Sequence, residues 1–194
     1  MKKAPSYETA ELREVERLIR GRRTIDQYLE LPVPEALVHE AIDVARWAPN
    51  HHVTEPWHFY LLGPETIEQC LDLCSEIVTA KKGPEAGAFK RNAWSKKPGW
   101  VVLTCRRSPD NDLLEREDYA ACSAAMQNFM LYMWKAGVGT KWTTGPITRD
   151  PRLADIVGFD AEEEFVVGLT WYGYPKLTPE QKRRDTDEIL TQLP

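Results

Sequence analysis

The sequence predicts a domain that mixes helices and strands, of the α/β or α+β class, and three observations carry that expectation. The chain has 194 residues, which fits one domain with a sizeable core. Segments with helical apolar spacing alternate with short runs dense in aliphatic and aromatic residues; the runs are few for the helices, so helices carry much of the core. The third observation is the segment 115–146, where apolar side chains such as Tyr119, Cys122, Met126, Phe129, Met133 and Trp134 fall on nearly every helical face, the pattern of a buried helix. Its first half is small (Ala120, Ala121, Ser123, Ala124, Ala125), which lets another backbone approach. Acidic residues suit its start, and Gly137 and Gly139 supply a stop. Residues 137–145 then read as a short permissive turn carrying Trp142 and the adjacent hydroxyls of Thr143 and Thr144. It is either an ordinary turn or a place for a planar ligand to rest.

In order along the chain, residues 8–20 carry Leu12, Val15, Leu18 and Ile19 at helical spacing. Pro34 fits the first position of a second helix, which ends before Pro49. Residues 50–56 are loop, and 57–62 read as a strand. Residues 64–80 are helical, with Ile67, Cys70, Leu71, Cys74 and Ile77 on one side. Residues 81–98 are basic and punctuated by Gly and Pro, so they read as loop or a short exposed helix. Residues 100–105 form a continuous apolar run, the kind of strand that is buried on both faces. Residues 108–113 are loop before the long helix. A short helix over 152–157 and a third strand over 165–171 follow. The polar tail from Lys176 has no core of its own and wants another surface to lie on.

Composition narrows the partners. A hydrophobic content of 42% with 28% charged residues is a soluble globular balance, and a net charge of −5 argues against nucleic acid. Cys70, Cys74, Cys105 and Cys122 form no C-x-x-C pair and read as free core thiols of a cytoplasmic protein. Residues 1–5 are basic with no apolar run behind them, so no signal peptide is expected. No run is long enough to span a membrane.

Three patches could carry chemistry. Arg22-Arg23-Thr24 follows a helix directly, and two guanidiniums with a hydroxyl can hold a phosphate; a solvated basic helix end is the plainer reading. Lys182-Arg183-Arg184 is a second cluster with the same two readings. Residues 48–58 hold His51, His52 and His58, three of the four histidines. Adjacent His51 and His52 are poorly placed to ligate one ion, and no carboxylate or cysteine sits at a familiar ligand spacing, so no metal site is expected. A general acid–base histidine or an ordinary surface loop both remain open. Neither common nucleotide-binding glycine loop occurs, and neither does G-x-S-x-G.

Taken in order, these patches resemble the nitroreductase family of FMN-dependent oxidoreductases. Arg22-Arg23-Thr24 is similar to the family's Arg-Arg-Ser. Ala48-Pro49 through Pro56-Trp57-His58-Phe59 is similar to its A-P-(S/D)…P-W-x-F segment. Residues 137–145 resemble its glycine turn and W-x-(S/T)-G, and residues 168–175 its closing strand with G-x-P. Lys182-Arg183-Arg184, with the acidic-aliphatic stretch from Asp187, resembles the terminal basic cluster. The match runs over about residues 19–190 and is nearest to the small NAD(P)H nitroreductase subgroup.

The resemblance implies a single α+β domain over 1–194 with a central, mostly antiparallel sheet flanked by helices. It implies an obligate homodimer with two FMN sites at the interface and a C-terminal extension, 178–194, packed on the partner subunit. Arg22, Arg23 and Thr24 would hold the FMN phosphate and ribityl chain. Trp142, Thr143 and Thr144 would line the flavin, while Trp47 and His51 would reach it from the other subunit. Lys182 and Arg184 would be further phosphate partners. Residues 132–137 match positions near the nicotinamide nucleotide. NAD(P)H would donate the electrons, and a nitroaromatic, quinone or similar small molecule would accept them at flavin N5, with His51 as the candidate proton donor. Two departures stand out. Glu55 replaces a neutral polar residue, and Asp26 stands where many members carry Lys or Arg, which would lower the flavin's potential. Asp26 keeps open a flavin-binding or redox-responsive module with little turnover. Another reductive reaction on the same fold and a purely structural protein also stay open.

Overall fold

The computed structural model describes residues 9–194. The basic start at residues 1–5 and the first residue of the helix predicted over 8–20 lie outside them. Six helices are described: α1 (Ala10–Gly21), α2 (Glu35–Ala45), α3 (Pro64–Lys82), α4 (Pro84–Ser95), α5 (Asp112–Lys135) and α6 (Arg152–Val157). Four strands, β1 (Trp57–Leu61), β2 (Gly99–Arg106), β3 (Gly139–Thr143) and β4 (Glu164–Gly173), form one antiparallel sheet in the order β1-β2-β4-β3. The fold is α+β, as the sequence predicts.

Strand β2 explains how the layers are held. Side chains alternate across a strand, so an all-apolar strand feeds two cores at once. Val101, Leu103 and Cys105 pack with α2 and α5 on one face, and Trp100 and Val102 pack with α3, α4 and α6 on the other. On the second face Trp94, Trp100 and Trp171 meet edge to face with centroids 4.7–5.6 Å apart, an arrangement aromatic quadrupoles favour. On the first face α5 buries Cys122, Met126, Phe129 and Met133. Burial of a side chain such as Phe129 contributes about 1.5–3 kcal/mol. All four cysteines are buried and free.

Four details differ from the sequence reading. Residues 137–145 are more than a turn, because β3 lies inside them and pairs Gly139 with Gly173 through Thr143 with Leu169. Gly137, Gly139 and Gly145 read as turn signals and mask the strand formers Thr140, Trp142 and Thr143, which pair with the buried strand β4. Residues 81–98 contain the full helix α4, started by Pro84 at its first position, with Trp94 buried beneath it. Gly87 lets α4 meet α3, since a Cβ there would stand 2.0 Å from Thr79 Oγ1. Helix α5 begins at Asp112 because the Asn111 side chain accepts the Leu114 N–H at 3.1 Å as an N-cap. Finally, α5 is buried on one side only; Tyr119 and Ala120 remain exposed within the chain.

Candidate functional site

The chain leaving α1 is extended and stitched to the sheet edge. Thr24 bridges Thr140 in parallel, the Ile25 N–H donates to the Thr140 carbonyl at 3.0 Å, and the Leu29 N–H donates to the Tyr174 carbonyl at 2.9 Å. Ile25 is fully buried against Gly139. This lacing sets Arg22 and Thr24 beside β3. Arg22, Thr24, Trp142 and Thr144, with Met130 of α5, surround an open cavity of about 280 Å³. Trp142 is fixed there by donation from its Nε1 to the Val167 carbonyl at 3.3 Å.

Arg22 also belongs to a neighbouring cavity of about 740 Å³, where Arg20, Arg23, Arg183 and Arg184 meet Gln127 of α5. Residues from the first helix, the long central helix and the C-terminal tail thus share one basin. Arg23 is held by donation to the Arg20 and Arg22 carbonyls. The Arg22 pKa is lowered, first by burial and then by repulsion from Arg183 and Arg23. Crowded guanidiniums of this kind form a receptor for a multiply charged anion such as phosphate.

The opposite face of β3 presents Lys141 and Thr143 to a third cavity of about 400 Å³, bounded also by Asp26, Lys97, Trp94 and Trp171. Asp26 Oδ1 pairs with Lys141 Nζ at 2.8 Å and Lys97 Nζ at 3.2 Å. The Asp26 pKa is lowered, mainly by the hydrogen bond from Lys141. The Lys97 pKa is lowered too, because burial outweighs the pull of Asp26. Both ammonium groups lie over the Trp171 ring, at 5.3 and 5.5 Å from its centroid. Asp26 is therefore no bare negative charge; the trio carries one net positive charge.

Trp47 and His51 stand apart. They are exposed on the loop between α2 and β1, which is anchored where Thr54 Oγ1 donates to Asp118 Oδ1 at 2.5 Å. Asp118 and Met130 are twelve positions apart on α5, or about 18 Å at 1.5 Å per residue. Neither Trp47 nor His51 lines the Arg22 cavity or the arginine basin of its own chain.

Of the sequence-predicted residues, Arg22, Thr24, Trp142 and Thr144 share one cavity, and Arg23 and Arg184 join Arg22 in the next. Thr143 faces the other side of β3. Lys182 does not line the arginine basin, whereas Arg183 does. Sequence reasoning missed Lys97, Lys141 and Asp118. Strand alternation could have placed Lys141 with Thr143, but nothing local joins Lys97 or Asp118 to distant loops.

The fold and these cavities can be set beside known proteins. The chain is 32% identical over 171 residues to "Putative NAD(P)H nitroreductase YfhC" of Bacillus subtilis (strain 168), covering 86% of this chain and 87% of that protein. The structure is similar to that of a nitroreductase-like family protein from Bacillus cereus, with a TM-score of 0.81, 27% identity, and coverage of 98% of this chain and 99% of that one. It also shares its fold with the FMN-dependent nitroreductase NfnB from Mycobacterium smegmatis, solved in complex with NADPH, at a TM-score of 0.76 and 15% identity over 95% of this chain and 100% of that one. The Nitroreductase family profile matches residues 19–174, from the end of α1 through all four strands, and on that match the chain belongs to the Nitroreductase family.

Proposed function

We propose that this protein is an FMN-dependent oxidoreductase that takes electrons from NAD(P)H and passes them to a small acceptor such as a nitroaromatic or quinone. Arg22 carries the reading. It is the shared wall between a basin of arginines suited to a phosphate and a cavity edged by Trp142, Thr24 and Thr144 suited to the rest of a phosphorylated aromatic cofactor. Family membership and the NAD(P)H nitroreductase name of the Bacillus subtilis relative support the same activity.

In this reading Arg22, Arg23, Arg183 and Arg184 bind the phosphate and offset its charge. Thr24 and Thr144 hydrogen-bond the polyol and ring edge. Trp142 forms an apolar wall that excludes water. When bound, FMN supplies hydride acceptance and release, so no side chain need act as a nucleophile. Lys97 and Lys141, braced by Asp26, carry a net positive charge in the separate cavity across β3 from that ring site.

Two copies complete the site. Trp47 and His51 do not line the cavity of their own chain, and in this reading the partner subunit delivers them. His51 then stands at the acceptor as a hydrogen-bond or proton donor. A second copy also accounts for the uncovered apolar face of α1, where Leu12, Val15 and Ile19 are 49%, 49% and 53% exposed and no residue is buried. The single domain's tail, 178–194, lies on that partner as well, covering Ile189 and Leu190. Buried thiols fit a reducing cytoplasm, and among the described residues no helix is long and apolar enough to cross a membrane.

Titrating the purified protein with FMN, and then anaerobically with NADH and NADPH, tests the proposal. A saturable yellow complex bleached by a nicotinamide nucleotide and recoloured by an acceptor supports it; a protein that takes up no FMN overturns it.

A further inference from the structure

The loop between α2 and β1 holds three non-glycine residues in the left-handed region: His52 at φ 61°, Val53 at φ 51° and Glu55 at φ 45°. A β-branched residue such as Val53 seldom adopts that conformation, and a run of such residues persists only where its surroundings over-determine it. The surroundings here are a short relay of side chains. Asn50 Oδ1 accepts the Glu55 N–H at 2.7 Å, and Asn50 Nδ2 donates to Thr54 Oγ1 at 2.9 Å. The Thr54 hydroxyl, so oriented, donates to Asp118 Oδ1 at 2.5 Å. Asp118 is fully buried on α5, and its second oxygen finds no partner among the described residues. A buried carboxylate with one oxygen unsatisfied is unfavourable in itself. The bond it does make ties the loop to α5, beside the Arg106 side chain's donation to the Thr54 carbonyl at 3.4 Å, while the loop's outward side chains, His51, His52 and Val53, make no comparable anchor and are all exposed.

We infer that Asp118 is a positioning residue that acts through Thr54 and Asn50 to hold the strained loop in the one shape that presents His51 outward, pre-set for the site on the partner subunit. The inference rests on the proposed FMN site, which it deepens. Hydrogen bonds in series strengthen one another, so the relay acts as a unit and losing either end releases the loop. The position needs an acceptor at Oδ1, not a charge.

The test uses the full-length protein and two readouts: FMN affinity from flavin fluorescence, and limited proteolysis of residues 46–56 without flavin. Thr54→Val keeps the shape and deletes the hydroxyl. Asp118→Leu deletes the acceptor, and Asp118→Asn retains it. Thr54→Val and Asp118→Leu are each expected to weaken FMN binding about tenfold, the scale on which supporting partners of a site act. Both should speed cleavage of the loop, and the double variant should be no worse than either single one. Asp118→Asn should restore both readouts to near the parent values, which a merely structural carboxylate would not show. If Asp118→Leu fails to fold, Thr54→Val carries the test. Thr54→Val with the parent's affinity and the parent's cleavage rate overturns the inference, as does an Asn variant as impaired as the Leu variant. If the parent itself binds no FMN, the proposed function fails, and the cleavage rates still decide whether Asp118 holds the loop.

Discussion

Asp26 and Lys141 form an ion pair of 2.8 Å that ties the segment after α1 to strand β3. Lys97 reaches the same carboxylate from beyond α4, with its own side chain only 8% exposed. The pairing joins three distant parts of the chain at the wall of one cavity, and it turns a residue that reads as a local negative charge into the hub of a cationic cluster.

That hub gives a pH dependence with a definite sign. The Asp26 pKa is lowered in the folded protein, first by Lys141. A carboxylate with a lowered folded value contributes stability above its unfolded value of about 3.9, and the contribution is lost as pH falls through the folded value. Urea unfolding between about pH 6 and pH 3 is expected to show a steeper acid loss for the parent than for Asp26→Asn. The difference should shrink in high salt, because Asp26 is largely solvent-accessible. Equal acid slopes would show that the pairing has no bearing on stability.

Gly168 links sheet geometry to the candidate site. A Cβ there would stand 1.9 Å from Trp142 Nε1 and 2.4 Å from Cδ1, so the indole must move. Gly168→Ala is expected to cost about 1–3 kcal/mol in urea unfolding, the usual scale of overpacking. It should also weaken FMN binding, because Trp142 is displaced from the cavity it edges. An unchanged affinity would remove Trp142 from the site.

Arg183 separates the sequence and structural accounts of the tail. The basin includes Arg183 and Arg184, so Arg183→Ala should weaken FMN binding by tenfold or more, given about 1.5–3 kcal/mol for a hydrogen bond to a charged group. Lys182→Ala should leave it nearly unchanged. Circular dichroism should not distinguish either variant from the parent, since both residues are exposed. The opposite ranking in a fluorescence titration would reassign the phosphate partner.

Much of this was legible in the sequence, and the reason differs from part to part. The strand at Trp100 through Cys105 could be read because an unbroken apolar run has one physical use, two-sided burial. Arg22, Thr24, Trp142 and Thr144 were legible because order along the chain carried them. Strand β3 was not, since the glycines around it read as a turn and hid the strand formers Thr140, Trp142 and Thr143. Helix α4 was hidden by surface charge, although Pro84 marks its start. The Lys97–Asp26–Lys141 cluster and the Thr54–Asp118 contact join residues 71, 115 and 64 positions apart. No local pattern reports contacts at that range, so only the folded chain reveals them.

The central claim is that two chains share each site, Arg22 from one and Trp47 with His51 from the other. Subunit complementation tests it most directly. Arg22→Ala, and Trp47→Ala combined with His51→Ala, should each bind FMN poorly as homodimers. When the two are co-expressed and the mixed dimer is isolated, one site is doubly defective and the other is whole. Flavin stoichiometry by absorbance should therefore recover to about one FMN per mixed dimer, at the parent's affinity. A mixed dimer that binds no more FMN than its two parents, or a protein that sediments as a monomer with FMN bound, would contradict the account.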